Sequence, residues 1–109
     1  MDKLDAQFAA LADPTRRAIL ARLARGEATV AELQRPLGIC QPAVSRHLRL
    51  LEEAGLVEQS RAAQARPRRL KAQGLDPARQ WMDGLRDQWS DSLDRLETFL
   101  ADPGHGDAE

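Results

Sequence analysis

A chain of 109 residues, 42% of them apolar, holds enough material for one hydrophobic core and too little for a second. Its single cysteine, Cys40, excludes an internal disulfide framework, and two histidines, His47 and His105, are too few for a His/Cys metal cluster within one protomer. The net charge of −1 hides a division along the chain: residues 1–15 carry −2, residues 16–71 carry +7 from twelve basic and five acidic side chains, and residues 72–109 carry −6.

A basic middle between acidic ends calls for a polyanionic partner on one face only. No apolar run approaches the roughly 18 residues that a bilayer requires, and Met1-Asp2-Lys3-Leu4-Asp5 lacks the basic and apolar regions of a secretory signal. The expectation is a cytoplasmic protein with no membrane partner. No motif calls for a cofactor.

Leu4, Phe8 and Leu11 share one face of a short first helix that stops at Asp13-Pro14. Asp13 suits the N-cap of a second helix and Pro14 its first turn; Ile19, Leu20 and Leu23 give that helix its apolar side, and Gly26 ends it. Thr29-Val-Ala-Glu32 has the spacing of a capping box, so a third helix carries Val30 and Leu33 and closes near Leu37, with Pro36 and Gly38. A fourth helix runs from Gln41 to Ala54 and is capped by Gly55. At about 100° per residue, Ala43, Val44, His47, Leu48, Leu50, Leu51 and Ala54 fall on its inner side, while Pro42, Ser45, Arg46, Arg49 and Glu53 face outward.

Leu56–Arg61 and Arg66–Lys71 read as the strands of a β-hairpin turning at Ala62-Ala63-Gln64-Ala65, with Pro67 confining its strand to an edge. Asp76-Pro77 then opens a long fifth helix reaching about Ala101. Its Trp81, Met82, Leu85, Trp89, Leu93, Leu96, Phe99 and Leu100 fall within an arc of about 120°. So broad a stripe exceeds what one small protomer can cover, which points to a homodimer. Residues 1–101 therefore form one domain, and 102–109, lacking an apolar anchor, form a disordered tail.

Helix, short turn, helix and basic hairpin is the order of a winged helix-turn-helix, a mainly α fold with five helices and a two-stranded wing. A helix about 10 Å across fits the major groove of double-stranded DNA, where Gln41 pairs with adenine, Arg46 and Arg49 pair with guanine or phosphate, and Ser45 lets the helix sit deep beside Pro42. Arg61, Arg66, Arg68 and Arg69 lie on the hairpin, within reach of phosphates or a minor groove. Strand alternation prevents all four from facing DNA. A winged helix that binds a regulatory protein instead of DNA is the rival, disfavoured by the basic and amide side chains of the fourth helix. No catalytic group is assembled: Ser45 and His47, two apart on a helix, face different ways.

The residues Leu11-Ala-Asp-Pro-Thr-Arg-Arg-Ala-Ile-Leu20, Val30-Ala-Glu-Leu33, Leu37-Gly-Ile-Cys-Gln-Pro-Ala-Val-Ser-Arg-His-Leu48 and Leu51-Glu-Glu-Ala-Gly-Leu-Val57 resemble the ArsR/SmtB family of bacterial repressors. The resemblance implies a homodimer, joined through the first and last helices, that binds an imperfect palindrome and represses transcription. The interface residues would be Leu4, Phe8, Trp81, Leu85, Trp89, Leu93 and Leu96. Metal-sensing members carry a Cys-Val-Cys motif where this chain has Thr29-Val30-Ala31, and others use Asp and His pairs on the last helix, where no histidine lies between residues 76 and 101. Neither metal site carries over, and any small-molecule inducer is unspecified. Cys40 stands where the family usually has a serine cap; an ordinary structural role is the simpler reading, with a thiol sensor as its alternative.

Overall fold

The computed structural model describes residues 2–61 and 64–101. Along the chain run α1 (Lys3–Leu11), α2 (Pro14–Leu23), α3 (Val30–Leu37), α4 (Gln41–Glu53), β1 (Val57–Gln59), β2 (Arg68–Leu70) and α5 (Asp76–Ala101). The expected tail and the hairpin-tip residues Ala62 and Ala63 lie outside the described residues.

Each early helix starts where its cap dictates. The side chains of Asp2 and Asp13 accept from the backbone N–H groups of Asp5 and Arg16, at 2.8 and 2.9 Å, and Pro14 occupies the first turn of α2. Thr29 and Glu32 close a reciprocal capping box at 3.2 and 2.8 Å. The ends are equally legible. Gly38 takes left-handed backbone after α3. After α4, Gly55 at φ +79° lets Leu56 N–H reach Leu51 O and Gly55 N–H reach Glu52 O, the paired bonds of a Schellman motif.

These caps set the helices around one core. Ile19 and Leu23 of α2, Leu33 of α3, and Val44, Leu48 and Leu51 of α4 are buried together with Ala10, Ala28, Leu56 and Val57. Each large aliphatic group contributes about 1.5–3 kcal/mol. Leu50 is the departure from the expected inner face: it is 41% exposed. It lies about 120° around the helix from Val44, at the margin of the apolar stripe.

The hairpin is antiparallel, with Val57 opposite Leu70 and Gln59 opposite Arg68. Its strands are shorter than expected because Pro67 has no N–H to extend the ladder, which ends with Ser60 N–H donating to Pro67 O at 2.7 Å. Arg68 also exchanges both backbone hydrogen bonds with Ala28, at 2.8 and 3.0 Å, so the loop before α3 covers the far side of β2.

The chain divides into two compact units, Met1–Ala78 and Arg79–Glu109. In the first, α1 is tied down by a buried glutamine: Gln7 Nε2 donates to Ala54 O at 3.0 Å and Gly74 O at 2.6 Å. The described part of the second is the remainder of α5. Most of its apolar stripe is exposed on the protomer, including Trp89 at 65% and Leu93 at 62%. Leu85, by contrast, is half-buried.

Gly74 is required by close approach. A Cβ there would stand 2.3 Å from Gly55 O and 3.2 Å from Leu56 Cα, both backbone atoms with little room to yield. Gly74→Ala should therefore cost about 1–3 kcal/mol, read as a lowered midpoint in urea unfolding. An unchanged midpoint would show that the loop absorbs the methyl group.

Candidate nucleic-acid interface

The fourth helix begins at Cys40, whose extended backbone (φ −75°, ψ 158°) makes it the N-cap, but whose side chain makes no capping hydrogen bond. The thiol is exposed. Pro42 lies in the first turn, where its missing N–H costs nothing. From there the helix turns Val44, Leu48 and Leu51 into the core and leaves Gln41, Pro42, Arg46 and Arg49 exposed, with Ser45 half-buried among them. Among the described residues, no carboxylate lies within ion-pair distance of Arg46 or Arg49.

The wing treats its arginines differently. Arg69 Nε donates to Glu58 Oε2 at 2.9 Å across the hairpin, with Glu27 at 3.8 Å on its other side. Arg68, expected from the sequence among the DNA-facing residues, is engaged within the protomer. Its Nε donates to Glu52 Oε2 at 2.9 Å, its Nη1 donates to Arg66 O at 2.8 Å, and its side chain is only 16% exposed. The guanidinium therefore fastens the wing to the last turn of α4. Arg61 and Arg66 remain exposed, with Arg66 in left-handed backbone at φ +48° beside the turn.

Behind the exposed face of α4, the start of α2 forms a small polar cluster. Arg16 Nε and Nη2 donate to the carbonyls of Ala10 and Ala9 at 2.9 and 3.0 Å, and Arg17 Nη1 donates to Leu11 O at 2.7 Å. The last carbonyls of α1 gain side-chain partners this way, Ala9 O in addition to the Ala12 N–H at 3.3 Å. Asp13 is held below the usual carboxylate range, chiefly by the Arg16 backbone N–H that it accepts. It stays ionised through neutral pH, and its capping contribution is lost as acid carries the pH down through its folded pKa. His47, read from the sequence as a packing residue, does point inward to this cluster, with its side chain 15% exposed.

The sequence reading passed over Arg16, Arg17, Gln7 and Glu52. A signal for the first two was available, since a pair of cations in the first turn of a helix opposes its dipole and implies a partner elsewhere. Gln7 stands at helical spacing from Leu4 and Leu11, which marks a polar group turned toward the core.

Comparison with known proteins agrees with this geometry. Residues 11–60 match the family model described as a helix-turn-helix domain. The chain is 46% identical over 79 residues to the HTH-type transcriptional regulator Rv2034 of Mycobacterium tuberculosis, covering 72% of this chain and 74% of that one. A solved structure of an ArsR family transcriptional regulator superposes with a TM-score of 0.71 at 34% identity, covering 82% of this chain and 98% of the other. The homodimeric winged helix-turn-helix DNA-binding domain of Mycobacterium bovis Mb0332 gives a TM-score of 0.64 at 26% identity, covering 80% and 81%.

The vacant cap at Cys40 yields a direct expectation. Cys40→Ser should supply the missing hydrogen bond to the first turn of α4 and raise stability by up to about 1 kcal/mol, measured by urea unfolding. A destabilised serine variant would mean that the thiol packs in a way serine cannot.

Proposed function

The chain belongs to the ArsR family of winged helix-turn-helix transcriptional regulators, and on that footing we propose that it is a homodimeric repressor whose α4 reads a palindromic DNA operator. The observation that carries this reading is the exposed face of α4. It presents an amide, a proline and two arginines without a carboxylate partner among the described residues, while Arg68 and Arg69 of the wing are already paired.

In the proposed complex Gln41 and Arg46 face base edges in the major groove, Pro42 and Ser45 allow close approach, and Arg49 reaches a base edge or a phosphate. Arg61 and Arg66 extend the contact to neighbouring phosphates, and Arg68 supports the wing without touching DNA. Leu4 and Phe8 of α1 join Trp81, Leu85, Trp89, Leu93 and Leu96 of α5 in the dimer interface. The exposed apolar stripe of α5 supports that assignment, because patches of this size are characteristic of association surfaces. The function is regulatory, and no described helix is long and apolar enough to cross a membrane. A place in the cytoplasm, beside its DNA, follows from the role.

Arg46→Ala should weaken operator binding by about 1–3 kcal/mol and relax preference at one base position in each half-site, as a titration series on operator variants would show. Equal losses on operator and random DNA would make Arg46 a phosphate contact. Failure of the unaltered protein to bind any DNA would favour the protein-binding reading of the same face.

Trp89→Ala should cost the dimer about 2–4 kcal/mol, a thirtyfold to thousandfold loss of self-affinity. Sedimentation over a concentration series measures it, and operator affinity should fall in parallel because two linked heads hold two half-sites better than one. A variant still fully dimeric at nanomolar concentration would move the interface away from Trp89.

A further inference from the structure

Beyond the carbonyls of α1, the Arg16 guanidinium reaches α4 itself: its Nη1 lies 3.3 Å from His47 Nδ1. A guanidinium only donates, so Nδ1 is the acceptor and the ring proton of neutral His47 sits on Nε2. Asp13 Oδ2 lies 3.9 Å from the same nitrogen, an ion-pair distance but too long for a hydrogen bond. Arg16 thus joins three elements at one point, with Ala9 and Ala10 of α1, its own α2, and the middle of α4.

Asp13 and Arg16, both from the start of α2, are the charged groups against the imidazole among the described residues. Of the other elements packed on α4, α1 gives its Ala9 and Ala10 carbonyls to Arg16, α3 turns apolar Leu33 to the shared core, and Glu58, the carboxylate of β1, is held by Arg69. Along α4, His47 stands between exposed Arg46 and fully buried Leu48. Whatever fixes its ring therefore fixes the turn that carries Ser45 and Arg46.

We propose that His47 is a positioning residue for DNA reading: neutral, it accepts from Arg16 and locks α4 to the corner between α1 and α2, and its protonation opens that lock and lowers operator affinity. The proposal rests on the DNA-binding reading given above. Protonation makes Nδ1 a donor, so the bond from Arg16 is lost and two cations are left side by side. The opposite charge within reach is then Asp13, 3.9 Å from Nδ1 and beyond hydrogen-bond distance. Added positive charge near phosphates would by itself strengthen DNA binding as pH falls. The positional effect has the opposite sign, so the direction of the change separates the two.

The test is an operator titration of the full chain at about pH 8 and about pH 5. The unaltered protein should lose about tenfold in affinity at the lower pH. His47→Asn keeps an acceptor near the place of Nδ1 but does not titrate; it should bind like the parent at about pH 8 and hold that affinity at about pH 5. His47→Leu, without an acceptor, should be weaker by about tenfold at both. A parent affinity that stays level or rises with acid overturns the proposal, as does an equal acid loss in His47→Asn. The imidazole ¹⁵N spectrum of the free protein at about pH 8 provides a readout independent of DNA. A proton on Nε2 is expected. A proton on Nδ1 overturns the Arg16 contact even if operator binding is normal, whereas an Nε2 proton in a protein that binds no DNA overturns the DNA reading and leaves the contact standing.

Discussion

The arrangement of the helices depends on how the end of α1 is satisfied. A helix that stops two residues before the next one starts leaves its last carbonyls at a tight corner where the chain has no slack. Arg16 and Arg17, from the first turn of α2, fill that corner, taking the carbonyls of Ala9, Ala10 and Leu11. Their charges oppose the dipole of α2 but favour the negative end of α1, and Asp13 at the cap offsets the remainder. Because the same guanidinium touches His47, the corner also sets where α4 lies, and with it the face proposed to read DNA. A short loop with two cations thus substitutes for a longer connection with its own packing.

Much of this was legible in the sequence because the relevant signals are local. The caps Asp13 and Thr29, the glycines at 38 and 55, and the Asp76-Pro77 start of α5 each act within one turn of chain, so composition and spacing suffice to place the elements. What the sequence left open depends on pairings made at a distance. Arg68 looked like one basic wing residue among four, and only the fold brings Glu52 beneath it. The bridge between Ala28 and Arg68 joins segments forty residues apart in a loop with no strand pattern of its own. Leu50 shows the limit of angular reasoning: a position at the margin of a stripe is decided by the neighbours that happen to cover it, and here they leave it 41% exposed.

Charge follows the same division between local and distant. The middle of the chain carries +7, yet not all of its cations are free. Glu52, Glu58 and Glu27 take up two of the wing arginines, and α1 takes up the side chains of two more on α2. Of the rest, Arg46 and Arg49 on α4 and Arg61 and Arg66 on the outer wing are exposed, as are Arg25, Arg35 and Lys71 elsewhere on the surface. Internal pairing thus removes Arg68 and Arg69 from the free charge of the wing and leaves the arginines of α4 without a carboxylate partner among the described residues.

The exposed apolar stripe of α5 has a consequence for how the protein responds to its own abundance. If protomers pair through that stripe and only the pair holds DNA well, then below the dissociation constant of the dimer the concentration of active species grows as the square of the total. Doubling the number of chains in a cell would quadruple the active pairs, and occupancy of the binding site would switch over a narrower range of expression than a monomeric protein allows. A helix face that looks like a structural necessity would then act as a threshold, setting how much of the protein must accumulate before its genes are silenced.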